Sequence, residues 1–140
     1  MSQPEGIICV DPGRSKAGYA LLEPSGSVLA AGIEAIGDLP ERLRALAGER
    51  AVAAIALGAG TNARKVETAL APLGLPIHLV DEYETTRMAR ALYFADHPPR
   101  GWRRIVPLGL QVPPRPIDDY AAILIGRRFL ARGAAPRPPS

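Results

Sequence analysis

Residues 6–22 read GIICVDPGRSKAGYALL, and this stretch decides the fold. Residues 6–10 are an unbroken apolar run with β-branched members, the pattern of a strand covered on both faces. Asp-Pro-Gly turn chemistry follows in DPGRS, over 11–15. Residues 17–22 form a second strand, and so short a connection makes the pair antiparallel. EPSGS is another turn, and VLAAGI over 28–33 is a third strand. The chain therefore opens as a three-stranded meander.

Working outward, the pattern changes to alternating helices and strands. PERLRALAG over 40–48 has Pro at a first helical position, Leu43, Leu46 and Ala47 on one face, and a Gly stop. AVAAIAL over 51–57 is a buried strand. Thr61 is placed to cap a helix over 62–70, which PLGLP ends. IHLV over 77–80 is a fifth strand. Thr85 or Thr86 caps a helix reaching about residue 94. Residues 96–116 hold six of the 15 prolines, four arginines and the single tryptophan, and read as a long, mostly irregular loop, of a length that is usually functional or disordered. A last helix spans 117–132, and 133–140 is a Pro-rich tail. The order is β-β-β-α-β-α-β-α-α: an α/β mixed five-stranded sheet flanked by helices, in one domain over 1–132. Right-handed crossovers put strands four and five parallel to strand one.

Composition narrows the function. The chain has 140 residues, 47% hydrophobic and 22% charged, ordinary for a globular domain. No apolar run reaches the roughly 18–20 residues of a membrane helix. The N-terminus lacks the basic-then-apolar pattern of a secretory signal, so a cytoplasmic location is expected. A single cysteine, Cys9, excludes an internal disulfide framework and a Cys-based zinc site. The net charge of +3 conceals an asymmetry. Residues 1–85 carry 7 Lys/Arg against 11 Asp/Glu, whereas 86–140 carry 10 Arg against 3 Asp. A basic half points to a polyanionic partner, nucleic acid before membrane. Arg outnumbers Lys 15 to 2, so a GC-rich coding bias also accounts for part of that excess.

The acids are the chemical signal. In an open α/β sheet the functional crevice lies beyond the carboxyl ends of the parallel strands. Asp11 follows strand one, and Asp81 and Glu82 follow strand five. On a helical wheel of about 100° per residue, Asp118 falls in the middle of the Ala122–Ile125–Phe129 stripe, with Arg127 opposite and Asp119 to one side. Asp118 therefore points toward the sheet, where a lone carboxylate is costly unless paired, protonated or metal-bound. Each acid alone has an ordinary explanation: an Asx-type turn for Asp11, a solvated strand exit for Asp81 and Glu82, dipole-favoured first-turn acids for Asp118 and Asp119. Three acids from distant segments meeting at one edge suit metal-assisted phosphodiester hydrolysis. Hard carboxylate oxygens favour Mg²⁺ or Mn²⁺, and two such ions are expected. His78, mid-strand, reads as core or sheet face, and His97 as a loop residue without a catalytic role.

Three segments carry a family resemblance. IICVDPGRSKAGYALL resembles the opening strand-turn-strand of RuvC-like nucleases, within the RNase H-like fold. VDEYETT resembles the VDERxTT segment of the YqgF family, also called RuvX, and IDDYAAILIGRRFL resembles that family's closing helix. Their order and spacing fit over about residues 6–131. The resemblance implies a nuclease (a hydrolase, endo- or exonucleolytic) of the kind tied to Holliday-junction resolution and DNA recombination, or to maturation of the 16S rRNA 5′ end in ribosome biogenesis. It implies Asp11, Glu82 and Asp118 as catalytic metal ligands, with Asp119 as a fourth or substitute. The chain departs from the family pattern twice. ALGAGTN stands where a GLPxxxxG segment is usual, and Tyr83-Glu84 follows the acid where the family has Arg.

Candidate contacts to nucleic acid are Arg14, Ser15 and Lys16 beside Asp11, Arg87 in the third helix, and Arg100, Trp102, Arg103, Arg104 and Arg115 in the Pro-rich loop. Arginines with an aromatic suit phosphate contact and base stacking on an unpaired strand. The expected partner is a four-way DNA junction or precursor 16S rRNA, with a homodimer if junctions are cut symmetrically. The alternative is a non-catalytic RNase H-like module that binds nucleic acid or assists ribosome assembly, motivated by the two departures.

Overall fold

The computed structural model describes residues 5–60, 62–81, 85–98 and 118–134. Five strands form one sheet: β1 (Gly6–Pro12), β2 (Lys16–Leu22), β3 (Val28–Ala35), β4 (Val52–Gly58) and β5 (Ile77–Val80), in the order β3-β2-β1-β4-β5. β1, β2 and β3 pair antiparallel, and β1, β4 and β5 pair parallel. The helices are α1 (Leu39–Glu49), α2 (Ala63–Leu70), α3 (Thr85–Asp96) and α4 (Asp118–Ala134), with a 3₁₀ turn at Ala71–Leu73. The expected α/β element order and strand directions hold throughout.

Strand alternation sorts the apolar residues onto two faces. Ile8, Val10, Ile55 and Leu57 pack against Leu39 and Leu43 of α1 and Val66 and Leu70 of α2. Ile7, Cys9, Ala20, Leu22 and Ala56 pack against Ala122, Ile123 and Ile125 of α4. Helices therefore cover both faces, which is why β1 reads as a continuous apolar run and not an alternating one. α3 joins α4 through a smaller cluster of Ala89, Tyr93, Phe94, Tyr120 and Ala121.

Close packing of α4 depends on Gly126. A Cβ there would collide with the Cys9 sulfur and lie 2.7 Å from Leu22 Cδ1. Cys9 is fully buried and unpaired, and burial pushes its thiol up to about 12. His78 stacks on Phe129 with ring centroids 5.1 Å apart, a sheet-face contact as anticipated.

The boundaries differ from expectation at two places that matter for the site. β1 continues through Asp11 to Pro12, and β2 begins at Lys16, so the connection is a tight hairpin at residues 13–15. Asp11 sits inside the ladder, where it pairs with Gly18 across the antiparallel register, and not in the turn after the strand. Pro12 is tolerated there because the strand is ending and its missing N–H costs no central ladder bond. Asn62, and not a residue before it, takes the N-cap position of α2. Thr61 lies outside the described residues, as do Glu82, Tyr83, Glu84, Arg100, Trp102, Arg103, Arg104, Arg115 and the tail from 135.

Candidate active site

The site forms where β1, β4 and β5 end. The parallel register places Val10 beside Leu57, and Leu57 beside Leu79. One residue further along β1, Asp11 lies one position past the last β1–β4 pair, as does Gly58, which ends β4 and pairs with Val80. The Ala59 amide donates to the Val80 carbonyl at 2.8 Å, holding the two exits together. Asp81 follows immediately and is exposed, and Arg128 of α4 donates to its carbonyl through Nη1. The expected convergence of the strand-one and strand-five exits on one edge is therefore present.

Asp11 shares its face of β1 with Ile7 and Cys9, the face that α4 covers. Its cross-strand partner, Gly18, has the same outlook. A Cβ on Gly18 would collide with the carbonyl of Asp118 and lie 2.6 Å from the Asp119 amide nitrogen. The absent side chain at Gly18 is thus the seat for the first turn of α4. Gly18 is thus a neighbour of both acids: it pairs with Asp11 across the ladder and packs against the backbone of Asp118. The link between the two acids is steric and local: Asp11 pairs with Gly18, and Gly18 receives Asp118.

Asp11, Asp118 and Asp119 are all half-buried. The Asp118 carboxyl is held above the usual carboxylate range, first by desolvation and then by the like charge of Asp119; Lys16 pulls it back down. Lys16 lies two residues before Gly18, on the same face of β2. Arg14 and Ser15 are exposed at the apex of the hairpin. Arg87 is exposed in the first turn of α3.

These carboxylates are oxygen donors of the kind a hard divalent cation prefers. A cation would also relieve both influences that raise Asp118, its desolvation and its like-charged neighbour. In donor type the pair fits Mg²⁺ or Mn²⁺. In number it is incomplete: among the described residues, no group of three or more His, Cys, Asp or Glu side chains could hold a metal ion. Of the expected trio, Asp11 and Asp118 are both neighbours of Gly18, and Glu82 lies outside the described residues.

Two structural residues of the site were not anticipated. Gly18 has no signature in a single sequence beyond being a glycine in a strand, which marks close approach without saying of what. From sequence, Asn62 at a helix N-terminus suits either a phosphate contact or a helix cap, yet its side chain donates to the Gly13 carbonyl at 2.7 Å. The clasp at the far end of α3 is also new: the Tyr120 hydroxyl donates to Asp96 Oδ2 at 3.0 Å, pinning the turn that carries Asp118.

No protein-family model and no curated protein matches the chain. Among solved structures, T. thermophilus RuvC in complex with a Holliday junction substrate aligns over 92% of each chain, with a TM-score of 0.55 and 17% identity. A second Thermus thermophilus RuvC structure gives 0.54 at 17% identity, over 91% of this chain and 92% of that one. The fold is RuvC-like. The mixed sheet and flanking helices are those of the RNase H-like architecture. A ROK family protein from Streptococcus pneumoniae TIGR4, in complex with sucrose, overlaps 65% of this chain and 39% of its own, at a TM-score of 0.43 and 18% identity. No helix among the described residues is long and apolar enough to cross a membrane.

Proposed function

We propose that this chain is a divalent-metal-dependent nuclease that hydrolyses phosphodiester bonds in branched nucleic acid. The observation that carries the reading is the seating of Asp118 on Gly18, directly across the ladder from Asp11, in a RuvC-like fold. The RuvC structure it resembles holds a Holliday junction substrate, which favours a four-way DNA junction over precursor 16S rRNA. The three sequence segments of the YqgF/RuvX pattern support membership of that branch and leave rRNA 5′-end processing as its second substrate.

Asp11, Glu82 and Asp118 would hold Mg²⁺ or Mn²⁺, with Asp119 as the further acid. When bound, such ions activate water and stabilise the leaving oxygen of the broken phosphodiester. The chain's own residues supply the rest. Asp11 stays fixed in direction because it is a ladder residue, and Asp118 because its backbone is wedged against Gly18. Burial on the α4 face limits water around both carboxylates, which strengthens their pull on a cation. Lys16 offsets part of the repulsion between Asp118 and Asp119. Arg14, Ser15, Lys16 and Arg87 contact phosphates, as do Arg100, Arg103, Arg104 and Arg115, with Trp102 stacking on a base. Symmetric cutting of a junction requires two sites, and so a homodimer.

The test is a substrate panel: a four-way DNA junction, a linear duplex of the same sequence and a precursor 16S 5′ fragment, each with Mg²⁺, Mn²⁺ or EDTA. Paired nicks in the junction, dependent on metal, are expected. Trimming of the RNA alone would move the assignment to rRNA maturation. Binding without cleavage on every substrate would replace the nuclease with a binding module.

A further inference from the structure

Asn62 holds the N-cap position of α2 but makes no side-chain cap hydrogen bond. An N-cap Asn ordinarily accepts from the first helical amides through its side-chain oxygen. Here the opposite end of the amide is engaged elsewhere. Nδ2 donates to the Gly13 carbonyl at 2.7 Å and to the Arg14 carbonyl at 3.4 Å. These are the two carbonyls that enter the β1–β2 hairpin immediately after Asp11-Pro12. The same turn is closed by Gly13 N–H to the Lys16 carbonyl at 3.0 Å and by Ile36 N–H to the Ser15 carbonyl at 2.9 Å.

Peptide planarity gives this clamp a consequence. In a trans peptide the C=O and the following N–H point in opposite directions, and no cis bond occurs among the described residues. Drawing the Gly13 and Arg14 carbonyls toward Asn62 therefore turns the Arg14 and Ser15 amides away from it. α2 packs on the Ile8/Val10 face of the sheet. Away from Asn62 is thus the side of the α4 face, where Asp11 and the start of α4 lie. Among the described residues, neither amide donates in a backbone hydrogen bond outside the helices and strands, and both residues are exposed. Two successive amides facing one way form a concavity that binds anions.

We propose that Asn62 is a positioning residue whose clamp presents the Arg14 and Ser15 amides to a phosphate of the nucleic-acid backbone, beside Asp11. The identity of the phosphate as part of a nucleic acid rests on the nuclease reading; the amide geometry does not. Such a contact is neutral and blind to sequence. It fixes where the strand lies relative to the two acids, and adds nothing to the salt dependence contributed by Arg14 and Lys16 side chains.

The test uses the full ¹⁵N-labelled chain titrated with thymidine 3′,5′-bisphosphate at constant pH and ionic strength, comparing wild type with Asn62→Ser. Serine caps a helix well and carries no charge, but its hydroxyl is too short to hold the hairpin. A residue that matters only as a cap predicts an unchanged melting temperature and unchanged titration in the variant. The clamp predicts an unchanged or slightly higher melting temperature, downfield shifts of the Arg14 and Ser15 amide protons in wild type, and a half-saturation concentration at least about five-fold higher in Asn62→Ser, the loss of one net hydrogen bond. Silent Arg14 and Ser15 amides in wild type, or equal titration of the two proteins, overturns the proposal. If those amides respond but no substrate is cut, the nuclease reading fails and the phosphate turn stands. If junctions are cut while the amides stay silent, the reverse holds.

Discussion

At the scale of single residues, Asp118 binds charge at a cost to the fold. Its carboxyl is raised by burial and by Asp119, so folding disfavours its charged form relative to the unfolded chain. The sign follows from linkage. The penalty is absent below the ordinary Asp range and grows as pH rises through it toward the raised value, so wild type loses stability over that window. Asp118→Asn removes the penalty. Its melting temperature should exceed that of wild type at pH 7 and match it at pH 3. A lower value at pH 7 would mean that the carboxylate is a structural anchor and not a ligand kept for function. Cys9 gives a second residue-scale expectation. With its thiol pushed up to about 12 and no exposure, it should resist a thiol reagent in the native state at pH 8 and react fully in denaturant. Rapid native labelling would show that α4 opens away from β1.

At the scale of elements, α4 is seated by glycines. Gly18 receives its first turn and Gly126 brings its middle against Cys9 and Leu22. Gly18→Ala places a methyl against backbone, which cannot yield by a rotamer change. It should cost about 1–3 kcal/mol in denaturant unfolding and depress activity further by displacing Asp118 from Asp11. Gly126→Ala meets a side chain instead, so Cys9→Ala should rescue it in part. A double-mutant cycle should show a coupling of about 0.5–3 kcal/mol, and strict additivity would place the clash elsewhere. These elements also show what the sequence made legible. The strands, their order and the inward wheel position of Asp118 follow from periodicities of two and 3.6, which a single chain displays directly. Asp11's place inside β1 did not, because Asp-Pro-Gly has turn chemistry and the ladder overrode it. The seat at Gly18 and the bond from Asn62 to the hairpin were hidden for a different reason: each acts on a segment about 50 to 100 residues away, and local sequence offers only a strand glycine and a helix-start Asn suited to a cap or a phosphate.

At the scale of the molecule, the proposed nucleic-acid partner makes a prediction about salt. On the proposed nuclease reading, the basic segment from residue 86 onward meets the phosphates and the parallel-strand edge carries the chemistry. Binding to a four-way junction should be dominated by phosphate contacts and fall roughly 100-fold between about 50 and 200 mM salt, as ~4 neutralised phosphates would produce. Affinity that is flat with salt would assign the arginine excess to composition alone. The direct test of the central claim is the rate of metal-dependent nicking of a four-way DNA junction by wild type, Asp11→Asn and Asp118→Asn, each shown to be folded by its melting transition. Both variants are predicted to lose on the order of 10²–10³-fold or more in rate while still binding the junction. A folded Asp11→Asn protein that nicks at the wild-type rate would contradict it.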